Sequence, residues 1–158
     1  MKLYFFEPEV AGGHGEQTVY GTEEDIVKEG ISAKVRFLHY EFEGWLGDDL
    51  LESTPAFIVS SLLETELQKS DIKDYKLEPC LITTSDVFKE MHPNKEIPLF
   101  SRFIPLGKIE VEGEHFTNWS GHHFCLSSKG ELIVTQEALE LLKTVSIDNC
   151  YITSLTQA

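Results

Sequence analysis

The stretch "GWLGDDLLESTPAFIVSSLLETEL", residues 44–67, combines a glycine-flanked tryptophan, paired aspartates, a continuous apolar run and a helix signal. Residues 56–60, "AFIVS", predict a short buried strand, because an unbroken apolar run of this length suits a strand covered on both faces. Ser61 and Glu64 match the Ser-x-x-Glu capping box, which predicts a helix over residues 62–69. The stretch therefore predicts a strand that leads directly into a helix.

The first half of the stretch predicts a tight bend. Two glycines permit the bend, and the side chains of Trp45 and Leu46 are predicted to reach the core from it. Asp48 is predicted to cap a short turn over "DLLES", with Asp49 in its first turn and Pro55 ending it. The residues to which this interpretation assigns a role in the fold are Gly44, Trp45, Gly47, Asp48 and Pro55.

A second segment, "ELIVTQEALELLKTV" at residues 131–145, has the same pattern of apolar strand, hydroxyl residue and amphipathic helix. Thr135 takes the place of the hydroxyl residue, and apolar side chains then follow at helical spacing. At an offset of 75 residues the aligned pairs are Ile58 with Ile133, Val59 with Val134 and Leu67 with Leu142. The chain is therefore predicted to use the same strand-to-helix unit twice.

The remainder of the chain predicts short strands and few helices. Residues 34–43, "KVRFLHYEFE", alternate over two partly apolar faces and predict a strand inside a sheet, with His39 in or beside the core. Residues 23–30 predict an exposed helical turn closed by glycine, and residues 85–93 predict a short helix. Further strands are predicted at 2–6, 75–85, 99–112, 115–134 and 149–156. The fold class is thus a single α+β domain over residues 1–158, mainly antiparallel sheet of six to eight strands with about three short helices.

Net charge is the strongest global feature, since 27 acidic residues oppose 13 basic ones and give −14. Such a chain repels nucleic acid, whose phosphates need lysine and arginine, and it repels anionic membranes for the same reason. It attracts basic proteins. We therefore expect no nucleic-acid or membrane partner, and the charge favours a basic protein partner over an acidic surface that serves solubility alone.

The N-terminal segment "MKLYFFEPEV" has neither the basic start nor the long apolar run of a signal peptide, so cytoplasmic residence is expected. Three widely spaced cysteines, Cys80, Cys125 and Cys150, suit a reducing compartment better than a disulfide framework. The histidines and cysteines lack the clustering of a zinc site. We expect no metal and no cofactor.

The segment "NWSGHHF" at residues 118–124 is the most enzyme-like cluster, with Ser120, His122 and His123 close in sequence. No nucleophile signature surrounds them, and few basic residues are near enough to hold a phosphate. A hairpin whose aromatic residues pack at the edge of the core is the favoured interpretation. A small histidine-dependent hydrolase or nuclease-like enzyme is the alternative.

The segments "GWLGDDLLES-P-FIV" and "LIVTQEALELLK" resemble predicted immunity proteins of bacterial polymorphic-toxin systems. Members of that family are small cytoplasmic α+β proteins encoded beside a secreted toxin. The resemblance covers about a third of the chain and does not specify the toxin. It implies binding without catalysis, in which the protein blocks or deforms the active site of a cognate toxin domain, and a nuclease toxin would present the basic surface that the charge count favours.

Two acidic groups are the candidate partner-binding residues: Glu23, Glu24 and Asp25, and then Asp48, Asp49 and Glu52. For the second group, a role in the fold is favoured over contact with the toxin, because an interface must change with the toxin while a family motif recurs. No catalytic residue is assigned. A non-enzymatic acidic interaction or regulatory domain remains a further alternative.

Overall fold

The structure, a computed structural model, describes residues 2–158. These residues form four α-helices, α1 (Glu23–Glu29), α2 (Ser61–Lys69), α3 (Asp86–Met91) and α4 (Gln136–Leu142), and a 3-10 turn at Ile31–Lys34. The strands in chain order are β1 (Lys2–Glu7), β2 (Gly12–His14), β3 (Val19–Tyr20), β4 (Val35–Phe37), β5 (His39–Phe42), β6 (Leu50–Ser53), β7 (Ala56–Ser60), β8 (Tyr75–Glu78), β9 (Leu81–Thr84), β10 (Phe100–Pro105), β11 (Gly107–Glu112), β12 (His115–Thr117), β13 (Phe124–Ser127), β14 (Leu132–Val134) and β15 (Tyr151–Gln157).

Six strands close on themselves in the order β1-β14-β13-β11-β12-β15. Alternate side chains of these strands meet inside the closed sheet, where they form one apolar cluster: Leu3, Ile109, Val111, Phe116, Cys125, Ile133 and Leu155. The other face of β1, β13 and β14 packs outward against the rest of the molecule. The closed sheet therefore joins the two ends of the described chain through the long pairing of β1 with β15.

A four-stranded sheet in the order β6-β7-β10-β8 lies beside the closed sheet. Every residue of β7 is buried, and its side chains alternate between two cores. Phe57 and Val59 face the closed sheet together with α2 and α4, whereas Ala56 and Ile58 face the opposite side. The predicted buried strand at residues 56–60 is confirmed, and it is the centre of the layered fold.

The third layer is a three-stranded sheet in the order β2-β5-β9, with α3 packed beside it. Its core is rich in aromatic rings, and Phe42 lies at the centre of them, within 5.1–6.3 Å of Tyr40, Trp45, Phe88 and Phe100. A separate pair, β3 with β4, lies on the surface next to α1. Helix α1 itself has no buried residue.

Three helices begin in the same way, directly after a strand and with a hydroxyl side chain as cap. Ser60, Ser85 and Thr135 each accept a hydrogen bond from the backbone N–H three residues later. Ser60 and Thr135 are 75 residues apart, so the predicted strand-to-helix unit occurs twice, at β7–α2 and β14–α4. The cap of α2 is Ser60 rather than Ser61, because the helix begins one residue earlier than predicted.

The α+β class and the mainly antiparallel arrangement are confirmed; nine of the twelve strand pairings among residues 2–158 are antiparallel. The described residues form 15 strands, more than the six to eight predicted, because several strands are only two or three residues long. The predicted strand at 34–43 is also divided, since β4 and β5 belong to different sheets. The short helix predicted at 85–93 is α3, in which only Phe88 is buried and Val87 and Met91 are exposed.

Candidate functional site

The segment Gly44–Asp49, here called the motif loop, crosses from β5 to β6 over a buried carboxylate. Glu9 lies in the segment after β1, and its Oε2 accepts a hydrogen bond from the N–H of Leu46 at 2.7 Å. Its Oε1 accepts from the N–H of Asp48 at 3.2 Å. Because the two oxygens hold two peptide groups of one loop, Glu9 determines how the motif loop lies on the protein.

The paired aspartates tie the motif loop to the segment that precedes β15. Asp48 accepts from the backbone N–H and the side-chain Nδ2 of Asn149, at 2.8 and 2.9 Å. Asp49 accepts from the hydroxyl of Ser60 at 2.6 Å and from the N–H of Ser146 at 2.8 Å. Both aspartates are buried, with 1% and 7% of their surface exposed. Their side chains thus join the motif loop, the cap of α2 and the C-terminal segment.

These contacts correct one prediction. Asp48 does not cap a turn, because Leu50–Ser53, the last four residues of "DLLES", form β6, and the turn that follows holds Pro55 between β6 and β7. The carboxylates of Asp48 and Asp49 are buried and already accept hydrogen bonds within the chain, which agrees with the favoured role of these residues in the fold. The paired aspartates stand beside apolar sequence because they bind backbone N–H groups in the interior.

The outward side of the motif loop has a different character. Trp45 is partly buried; its ring packs edge-on against Phe100 and Phe42, and its Nε1–H donates to the carbonyl of Asp48 at 2.9 Å. Leu46 was predicted to reach the core, but 73% of it is exposed. Glu9 binds the backbone N–H of Leu46, and the side chain of Leu46 is left in solvent. Gly47 has φ 111°, a conformation that favours glycine.

The first acidic group lies on α1. Glu23 and Glu24 are exposed in its first turn, and Asp25 forms a reciprocal cap with Thr22. Hydrogen bonds from the backbone and hydroxyl of Thr22 lower the pKa of Asp25. Glu24 pairs with Lys28 at 3.1 Å on the helix surface. Glu23 and Glu24 are therefore accessible to a partner, whereas Asp25 serves the helix start.

Glu52, on β6, is partly buried and titrates abnormally. Burial raises its pKa to about 7, and the nearby carboxylate of Glu7 adds to the rise, while a hydrogen bond with Thr54 opposes it. An unfolded glutamate titrates near 4.5, so between these values the folded protein binds the proton more tightly than the unfolded chain. Stability at this position is therefore greatest at low pH and falls as the pH rises through about 7.

We expect Glu52→Gln to remove this pH dependence, because glutamine is neutral at every pH. Raising the pH from about 5.5 to about 8 should lower the free energy of unfolding of the wild type by roughly 1–2 kcal/mol more than that of the variant, after allowance for solvent screening. Urea unfolding at both pH values measures the difference. Glu43→Gln, at an exposed position, is the matched control and should follow the wild type. Equal pH slopes for wild type and Glu52→Gln would contradict the assignment.

The histidines of the enzyme-like segment point to different partners. His122 Nδ1 lies 2.7 Å from the hydroxyl of Ser120, which resembles a nucleophile and base pair. Among residues 2–158, however, no carboxylate orients the other ring nitrogen of His122. His123 instead contacts Thr135 at 2.7 Å and Glu137 at 3.5 Å. The best-formed cavities are lined by other residues, so these side chains do not converge on a cleft.

The histidine in β5 has the predicted place in the core. His39 Nδ1 accepts from the N–H of Gln17 at 3.1 Å, which leaves Nε2 as the donor to the hydroxyl of Thr83 at 2.7 Å. Both ring nitrogens are thus satisfied. A Cβ on Gly15 would lie 2.2 Å from this ring, so the glycine allows the segment after β2 to pass over it. His39 is a structural residue.

Most charged groups lie at the surface. Among residues 2–158, all acidic residues except Glu9, Asp48 and Asp49 reach solvent at least in part, and Arg102 is the one buried lysine or arginine. Few of the surface carboxylates in the described chain contact a basic group. The surface therefore carries a large excess of unpaired negative charge.

Within residues 2–158, no group of three histidine, cysteine, aspartate or glutamate side chains is arranged to hold a metal ion. None of the helices there is both long and apolar enough to cross a membrane. The three cysteines are free thiols, of which Cys125 is buried.

The chain matches no protein-family model, and no curated protein is similar enough to count as a relative.

Proposed function

We propose that this protein is a cytoplasmic immunity protein that binds and neutralises a basic toxin domain of a bacterial polymorphic-toxin system. The observation that carries the proposal is the surface charge. Nearly all of the 27 acidic residues reach solvent, and most of them have no basic neighbour. Unpaired carboxylates spread over a folded surface attract a protein of opposite charge and accelerate its association.

The mode of action is occupation of the toxin's active site. A toxin domain that acts on nucleic acid must present lysine and arginine to the phosphates. An acidic protein that covers this surface excludes the substrate and needs no chemistry of its own. The dispersed histidines support binding over catalysis, because within residues 2–158 no carboxylate orients His122, and His123 is directed toward α4.

Co-expression with the toxin domain encoded beside the gene tests the proposal. We expect the wild-type chain to restore growth of cells that make the toxin and to form a complex with it. The affinity should fall about tenfold or more from about 50 to about 300 mM NaCl, because salt screens the attraction between the two surfaces. Poor expression of the chain would also reduce protection in cells. The affinity for the toxin domain is therefore measured with purified proteins.

The variants His122→Ala and His123→Ala separate binding from catalysis. Both should retain full protection, because the proposed mechanism uses neither imidazole. Purified chain should also leave nucleic acid and peptide substrates unchanged. Turnover that disappears in either histidine variant, or failure to bind the co-encoded domain, would contradict the proposal and favour the histidine-dependent enzyme.

A further inference from the structure

The outward side of the motif loop borders an open hollow of about 330 Å³. Its walls come from residues 9–12 and from residues 43–46, which include the first half of the motif loop. The side chains that matter are Val10, Glu43, Trp45 and Leu46. Val10 and Leu46 are 66% and 73% exposed, although both are aliphatic. Exposed aliphatic side chains beside a concave surface are typical of a place where another molecule docks.

This hollow is held in shape before any partner arrives. Glu9 binds the N–H groups of Leu46 and Asp48, and the N–H groups of Glu43 and Gly44 both donate to the carbonyl of Ala11, at 2.9 and 3.1 Å. The two walls are thus linked to each other on both sides of the hollow. A surface that is already ordered loses little conformational entropy on binding, which favours affinity.

The charge around the hollow is negative. Glu43 and Glu9 line the hollow, the first exposed and the second buried, and the motif loop also carries the buried carboxylates of Asp48 and Asp49, which do not line it. Among the described residues, no lysine or arginine nitrogen lies within 4.0 Å of any of these four carboxylates. Buried carboxylates are screened less by salt than surface ones, so the hollow favours a cation.

The motif loop already binds one ammonium group of this chain. Lys95 donates from Nζ to the carbonyl of Trp45 at 2.7 Å, and the same nitrogen lies 5.2 Å from the centre of the indole ring. The carbonyl and the ring together make a cation-binding element. Lys95 occupies this carbonyl and ring, so they show that the loop accepts a cation, and a partner's cation would have to bind at Glu43 on the open side of the hollow.

We propose that the hollow is a docking site for an arginine or lysine side chain of a basic partner protein. The stem of that side chain packs on Val10 and Leu46, and its charged end meets Glu43. This inference rests on the proposed function for the identity of the natural partner, the toxin domain. The site differs from the acidic group on α1, because Glu23, Glu24 and Asp25 do not line this hollow.

A peptide titration tests the docking site without the toxin. The full chain, labelled with ¹⁵N, is titrated with a blocked arginine hexapeptide while its amide signals are followed by NMR. The largest shifts are expected at Val10, Leu46 and the indole N–H of Trp45. Shifts centred on residues 23–25 or spread evenly over the surface would overturn the proposal.

Two variants of equal charge make the test quantitative. Leu46→Arg and Val27→Arg each add one positive charge at a strongly exposed position, so neither should disturb folding. We expect Leu46→Arg to weaken peptide binding at least about fivefold more than Val27→Arg, because only the first lies at the hollow. Equal weakening would overturn the docking site. Because no toxin is present, this failure is distinguishable from failure of the growth assay, which concerns the proposed function.

Discussion

Replacing Asp49 by alanine should destabilise the protein by about 3–4 kcal/mol. The carboxylate accepts from the hydroxyl of Ser60 in a buried bond and from the N–H of Ser146 in a partly buried one, and the carboxylate itself is buried. Truncation leaves the N–H of Ser146 without its acceptor and frees the hydroxyl that caps α2. Urea unfolding monitored by tryptophan fluorescence measures the loss.

Two further variants separate the hydrogen bonds from the charge. Asp49→Asn keeps one acceptor oxygen but places an amide against a donor, so an intermediate loss of about 2 kcal/mol is expected. Asp71→Ala removes an exposed aspartate and should change stability by no more than about 0.5 kcal/mol. If Asp49→Ala proved as stable as Asp71→Ala, the interior role of the motif aspartates would be wrong.

Replacing Phe42 by alanine should cost about 3–5 kcal/mol, the usual range for a buried phenylalanine. Its ring is inaccessible to solvent and lies among four other aromatic rings between the four-stranded sheet and the three-stranded sheet. Truncation leaves a cavity that the surrounding rings cannot fill without leaving their own contacts. The free energy of unfolding in urea gives the size of the effect.

Phe37 is the matched control, since it is the same residue type on the neighbouring strand. It is 39% exposed and pairs with Val19 in the small surface sheet. Phe37→Ala should cost only about 1 kcal/mol, because much of the ring is already in water. Similar losses at both positions would show that the predicted strand at 34–43 is buried along its whole length.

The parts of the fold that the sequence predicts are those determined by neighbours along the chain. An apolar run and a hydroxyl cap are local signals, so β7–α2 and β14–α4 are recognisable, and so is the glycine that closes α1. The division between β4 and β5 is not recognisable in the same way. Continuous alternation describes a strand but does not show that its two halves pair in different sheets.

The candidate site shows the same limit. Asp48 and Asp49 beside two glycines are typical of a turn, and nothing near them in sequence indicates that Asn149, Ser146 and Glu9 are their partners. The hollow could not be predicted either, because Val10 and Leu46 meet only after distant segments fold. The one local signal is the aliphatic side chain of Leu46 between Trp45 and Gly47, and the sequence predicts a core position for it.

The contact between Asp48 and Asn149 joins residues 101 positions apart, which affects how the protein is made. During synthesis on the ribosome, the motif loop cannot gain its last anchors until almost the whole described chain has emerged. Contacts of such long range lower the rate of folding. A nascent chain therefore acquires the fully anchored motif loop late, only after residue 149 has left the ribosome.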